Sequence, residues 1–109
     1  MSAKGKFMSL YVCICKGEYD ALLTWPFNHK IIFTLLDQSK NVLEQRPITY
    51  VIKPNTCKEN FSFLGKPFTE RNASFGAQKF AELDLLSSFE YVIEDTMFIK
   101  VEIIFESQT

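Results

Sequence analysis

Long apolar runs are missing from this chain: every uninterrupted apolar stretch falls far short of the ~20 residues that a membrane-spanning helix needs. Charge of one sign is missing too. Twelve basic and thirteen acidic residues are scattered along the chain and leave a net charge of -1, so no basic stripe can track a phosphate backbone. These absences argue against membrane insertion and against a nucleic-acid partner. The N-terminal MSAKGKFMSLYVCICKGE has too short an apolar run, with no small-residue cleavage site after it, to read as a secretory signal. Cysteines number only three, and an odd count without a signal fits free thiols in a reducing compartment. The chain is therefore expected in the cytoplasm, where the sequons Asn60-Phe61-Ser62 and Asn72-Ala73-Ser74 would stay unused.

Chemistry-bearing constellations are equally sparse. The single histidine, His29, follows Asn28 at the mouth of an apolar segment, where a solvated loop histidine is the ordinary reading. There is no Gly-x-Ser-x-Gly, no glycine-rich phosphate loop and no close carboxylate pair, so no enzyme is expected. Cys13 and Cys15 would share one face of a strand, half of a metal site. A closed zinc site needs two further ligands, and only Cys57 and His29 remain, without the usual paired spacing. No metal and no cofactor is expected.

What the sequence does have is apolar and aromatic mass. Apolar residues make up 47% of the chain and aromatics 15%, eleven of them Phe, which is too much for a disordered segment. One domain over residues 1–109 is the natural division, with residues 1–5 and 106–109 expected to be flexible. Strand signals dominate. From Phe7 to Cys15, Met8, Leu10, Val12 and Ile14 form one apolar face, while Phe7, Ser9, Tyr11, Cys13 and Cys15 form a semi-polar one. KIIFTLL, from Lys30 to Leu36, is β-branched and aromatic, and it runs into the turn formers Asp37 to Asn41. A third strand is predicted from Ile48 to Lys53, stopped by Pro54-Asn55. The last runs from Met97 to Phe105, with Met97, Ile99, Val101, Ile103 and Phe105 on one face.

Between these strands lie irregular stretches rich in aromatics. Lys16 to Asn28 holds the one Trp, and Asn55 to Lys79 holds Phe61, Phe63, Phe68 and Phe75, so both must pack on the body of the protein. Trp25-Pro26-Phe27 reads as a packed anchor for its loop. Gly76 after Phe75 suggests a backbone kink or the close approach of another chain, a ligand edge or a plain turn. A short helical turn is predicted near Ala81 to Ser87. Strands without alternating helices imply an all-β, antiparallel β-sandwich.

Several blocks go further. Met8-Ser9-Leu10-Tyr11-Val12, Lys16-Gly17-Glu18-Tyr19-Asp20-Ala21-Leu22-Leu23, Trp25-Pro26-Phe27, Leu35-Leu36-Asp37-Gln38 and Tyr91-Val92-Ile93-Glu94-Asp95-Thr96-Met97-Phe98-Ile99-Lys100-Val101 together resemble the TRAF-C (MATH) domain of the TNF-receptor-associated factors. Lys53-Pro54 and Phe75-Gly76 fall where that family has similar pairs. The resemblance covers essentially the whole chain and implies an eight-stranded antiparallel sandwich, here lacking its opening strands. It implies a trimeric adaptor that takes the cytoplasmic tails of TNF-receptor-type receptors, or adaptor peptides, as an added edge strand. By position, Tyr11 matches the aromatic lining the pocket for the peptide's apolar residue, and Ile52, Phe61 and Ala77 match other walls. Phe75, before Gly76, falls on the ligand-facing position. Lys58-Glu59-Asn60 replaces three serines with which several members grip a peptide side chain, so the chain is more similar to the sixth and fourth types. Ala77 replaces the aromatic or Cys that those types carry. The resemblance leaves two alternatives: the substrate-recognition arm of a ubiquitin ligase or deubiquitinase, or a truncated oligomerisation element without ligand binding. Without opening strands, the Met8, Leu10, Val12 and Ile14 face is expected to need a cover.

Overall fold

Five strands organise the chain in the computed structural model, which describes residues 6–105. The two end segments expected to be flexible lie outside the described residues. The strands are β1 (Phe7–Val12), β2 (Lys30–Leu35), β3 (Ile48–Ile52), β4 (Phe75–Glu82) and β5 (Ile99–Ile104). They form two antiparallel sheets, one in the order β1-β4 and one in the order β3-β2-β5. The all-β antiparallel sandwich expected from the sequence is what the chain adopts.

The registers decide which residues make the core, because directly paired residues on antiparallel strands share a face. In the three-stranded sheet Ile31, Phe33 and Leu35 pair with Ile52, Tyr50 and Ile48 on one side and with Ile103, Val101 and Ile99 on the other. Ile31, Phe33 and Leu35 are buried almost completely. Across from them the two-stranded sheet presents the pairs Met8–Ala81, Leu10–Ala77 and Val12–Phe75. Ala77, Phe80, Ala81 and Tyr91 complete the buried cluster, with Met8, Leu10 and Val12 packed against it. The Phe33 and Phe80 rings meet edge to face, 6.5 Å between centroids. Thus Met8, Leu10 and Val12, on the face of β1 expected to need a cover, pack half-buried against the buried cluster of the same chain, and Ile14 stays outside it.

Three strands lie within two residues of their predicted ends, and two differ more from the sequence reading. The first is β1, which stops at Val12 rather than at Cys15. Beyond it the chain is drawn to the loop before β4: Asn72 N donates to Ile14 O, Lys16 N donates to Glu70 O, and Cys15 forms a lone bridge with Arg71. The second is β4, which was read as the irregular end of the long loop. Its sequence, FGAQKFAE, has Gly, Ala, Lys and Glu where strands prefer β-branched residues. Its alternation is also broken. Between Met8–Ala81 and Leu10–Ala77 the register shifts, so β4 carries extra residues against β1. The helical turn predicted near Ala81 to Ser87 is present as α2 (Leu83–Leu86), and α1 (Phe61–Leu64) forms inside the long loop.

The alternation predicted for the last strand is correct, yet its apolar face is buried only in part. Met97 and Ile99 pack half-buried against the core, and the exposure rises beyond them. Val101 remains 53% exposed and Phe105 73%.

Candidate functional site

The loop blocks of the sequence turn out to hold themselves together. Trp25 Nε1 donates to Asp20 O at 2.8 Å, and the buried Asp20 carboxylate accepts from Gly17 N. Trp25, joined to Pro26 by a cis peptide, is half-buried and ties its loop together through its bond to Asp20 O. Asp37 and Gln38 close the other end of the sandwich. The buried Asp37 carboxylate accepts from Ser39 N and Arg46 N, and Gln38 Nε2 donates to Tyr91 O and Thr96 O. The Tyr91 hydroxyl donates to Arg46 O. Burial raises the Tyr91 phenol above its ordinary pKa; the Asp37 charge adds to this, while Arg46 opposes it. In these motifs the Asp20, Trp25, Asp37, Gln38 and Tyr91 side chains are all bonded to the chain's own backbone.

The cysteines do not converge. Cys13 Sγ donates to Asn72 O at 3.1 Å, whereas Cys15 and Cys57 are exposed. Among the described residues no group of three or more His, Cys, Asp or Glu side chains is placed to hold a metal ion. Asn72 Nδ2 donates to Phe63 O and Gly65 O, and Asn60 Nδ2 donates to Asn55 O, so both sequon amides are engaged within the fold. No helix among the described residues is long and apolar enough to cross a membrane.

Two concavities stand out among the described residues. One, of about 950 Å³, sits at the end of the sandwich around Trp25, Pro26, Phe27, His29, Lys53 and Phe105. His29 is half-buried there rather than solvated, its ring against Phe27 and Phe105 with centroids 5.3 and 4.4 Å away. The other, of about 520 Å³, is a shallow cleft lined by Tyr11, Tyr50, Phe63, Ser74, Phe75, Gly76, Gln78 and Lys79.

That second cleft brings together three of the six residues singled out from the sequence: Tyr11, Phe75 and Gly76. Tyr11 and Gly76 are direct partners across β1 and β4. A Cβ on Gly76 would stand 2.8 Å from Tyr11 Cα and closer still to Leu10 O, so only glycine lets the two backbones approach. The backbone that approaches Gly76 in the structure is β1 of the same chain, not that of another chain. Tyr11 projects outward, 55% exposed. Phe75 packs edge to face on Phe63, 6.3 Å between centroids.

The other three lie elsewhere. Ile52 is half-buried and packs against the core opposite Ile31. Ala77 is 1% exposed and faces the core, so it lines no open surface. Phe61 begins α1, half-exposed, and does not line the cleft; Phe63, two residues on, takes that place. The Lys58–Asn60 turn also stands apart from the cleft. Tyr50, Phe63, Gln78 and Lys79 were missed by sequence reasoning. Tyr50 was legible as a member of a strand, but its position at the cleft follows only from the β2–β3 register.

The cleft runs beside β4, which has a single strand neighbour among the described residues, β1. Its other edge therefore offers backbone donors and acceptors next to four aromatic rings and the polar ends of Gln78 and Lys79. Such an arrangement can hydrogen-bond an extended chain and seat one apolar side chain. It contains no nucleophile paired with a base.

The family model described as "TRAF/meprin, MATH domain" matches residues 1–100. Human TNF receptor-associated factor 5 is 34% identical over 106 residues, which is 94% of this chain and 17% of that protein. Mouse TNF receptor-associated factor 1 is 38% identical over 101 residues, 91% of this chain and 23% of that protein. The solved structure of Notothenia coriiceps TRAF5 superposes with a TM-score of 0.81 at 34% identity, covering 100% of this chain and 52% of that one. The chain thus spans about a fifth of the length of the curated relatives it matches.

Proposed function

The chain belongs to the TRAF/meprin MATH-domain family, and from that premise we propose that it is a peptide-binding adaptor module for receptor or adaptor tails of the TNF-receptor type. A tail segment in extended form adds as a strand to the open edge of β4, and its main chain supplies the affinity. One apolar side chain enters between Tyr11, Tyr50, Phe63 and Phe75. Gln78 and Lys79 flank it and favour a polar or acidic neighbour. The observation that carries this reading is the coincidence of an aromatic cleft with a strand edge that is unpaired among the described residues.

A short strand filling one shallow pocket binds weakly, with Kd in the micromolar-to-millimolar range, so useful affinity comes from several copies acting together. The experiment is a titration of the chain with a panel of short receptor-tail peptides, followed by calorimetry and by amide chemical shifts. Binding peptides are expected to move the resonances of residues 75–79 and Tyr11. A nanomolar monomeric Kd, no binding by any peptide at millimolar concentration, or shifts confined to the opposite end of the sandwich would overturn the proposal.

A further inference from the structure

Helix α1 (Phe61–Leu64) is a single turn, too short to hold its own orientation. Past Phe61 O, which accepts from Gly65 N at 2.9 Å, the helix has no further turn to use its carbonyls. Donors from outside satisfy the four that follow. Ala73 N donates to Ser62 O at 3.1 Å, and Phe27 N donates to Leu64 O at 2.7 Å. The other two are taken by one side chain: Asn72 Nδ2 donates to Phe63 O at 3.1 Å and to Gly65 O at 2.7 Å. We propose that Asn72 is a positioning residue of the aromatic cleft, which sets the fit of a bound peptide's apolar side chain by holding Phe63 against Phe75. This role rests on the reading of the cleft as a peptide site.

The main chain of Asn72 is fixed separately. Its N donates to Ile14 O at 2.9 Å, and its O accepts from Cys13 Sγ at 3.1 Å, so this backbone is tied to the continuation of β1. The side chain then bridges two parts of the cleft wall. On one side β1 carries Tyr11, and β4 begins with Phe75 three residues after Asn72. On the other side stands α1 with Phe63. Across this bridge the Phe63 and Phe75 rings meet edge to face, 6.3 Å between centroids. Asn72 is half-buried and does not line the cleft, so it acts through Phe63. A primary amide suits the position, because both acceptors are carbonyls and the amide nitrogen carries two donors. An ionised aspartate has the same shape and no donor, and it would set its oxygens against Phe63 O and Gly65 O.

Gln38 provides a matched control. Its Nε2 also donates to two carbonyls, Tyr91 O and Thr96 O, and none of these three residues lines the cleft. Gln38→Glu therefore removes two donors, as Asn72→Asp does, without touching α1.

Two readouts on the full chain test the role. Nuclear Overhauser contacts between the Phe63 and Phe75 rings are measured in the free protein. Calorimetry uses the tightest-binding peptide of the receptor-tail panel, and the same peptide with alanine in place of its apolar residue. In the wild type and in Gln38→Glu the ring contact is expected, and the alanine peptide should bind about tenfold more weakly. In Asn72→Asp the ring contact should vanish and the two peptides should differ less than about twofold, since the coupling runs through Phe63. Asn72→Ala removes the donors without adding charge and should behave alike. Circular dichroism establishes which variants are folded. A ring contact that survives in a folded Asn72 variant, an undiminished preference for the apolar peptide, or loss of the contact in Gln38→Glu would overturn the proposal. Failure of both Asn72 variants to fold would make Asn72 a scaffold residue and overturn it too. If no peptide binds the wild type, the adaptor reading falls, while the ring contact in the free protein still decides the role of Asn72.

Discussion

Replacing Gly76 by alanine tests the geometry on which the cleft depends. Gly76 has no strained φ, so alanine is free to adopt its backbone conformation, and by reducing the freedom of the unfolded chain it would add about 0.4–1 kcal/mol of stability. Sterics oppose this. The new Cβ would lie 2.8 Å from Tyr11 Cα and 3.0 Å from Leu10 C, with Leu10 O nearer still. All three are backbone atoms of β1, and no side-chain rotation can move them away. Overpacking of this kind costs about 1–3 kcal/mol, and contact with backbone places Gly76 at the upper end. The net expectation is a loss of about 2 kcal/mol, which for a domain near 100 residues lowers Tm by about 8–16 °C. Thermal melts followed by circular dichroism measure it. Gly17→Ala is the control: its Cβ would meet only Asp20 Oδ1 at 3.2 Å, the end of a side chain, so its Tm should move little. Because the strands must separate at the Tyr11–Gly76 pair, Gly76→Ala should also weaken peptide binding. A Gly76→Ala protein that melts with the wild type would refute the close approach of β1 and β4.

Three further outcomes are expected. Leu10→Ala truncates a half-buried residue packed on the core and should cost about 2–3 kcal/mol, whereas the half-exposed Tyr11→Ala should cost under about 1 kcal/mol yet lower peptide affinity; the reverse order in urea melts would show the faces of β1 to be misassigned. Glu94 and Asp95 hold φ values of 50° and 61° in a two-residue turn closed by mutual Ile93–Thr96 hydrogen bonds, so Glu94→Asn should stabilise by about 0.5–1 kcal/mol, read from the urea midpoint. Because Tyr91 is neutral in both states below its ordinary pKa of 10.0, stability is unaffected there; above it the unfolded phenol ionises first, and stability falls as pH rises toward the elevated folded value. Tyr91→Phe should lose about 1 kcal/mol at neutral pH with the hydroxyl bond to Arg46 O, and the difference from wild type should shrink above pH 10.

The sequence by itself determined the fold class, four of the five strands and the inward face of β1. These rest on local signals: β-branched and aromatic runs, two-residue alternation, and turn formers such as Asp37 to Asn41. It also brought Tyr11, Phe75 and Gly76 forward, the last two because a glycine beside a large ring marks a backbone that something must approach. The family blocks were legible as well. What they do physically was not, since Gln38 reaching Tyr91 O and Thr96 O spans more than fifty positions.

Tertiary structure alone decided the rest. Strand β4 has weak local propensity and a broken alternation, and it exists because β1 pairs with it across a bulge. Ala77 was expected at the cleft but is buried, because the register sets it opposite Leu10 on the core side. Phe63 and not Phe61 lines the cleft, and both lie in a turn of helix absent from the sequence reading. Val101, Ile103 and Phe105 alternate as a core strand should, yet they stand exposed. Periodicity shows which side chains share a face, and only the packing of one sheet on the other determines which faces leave water.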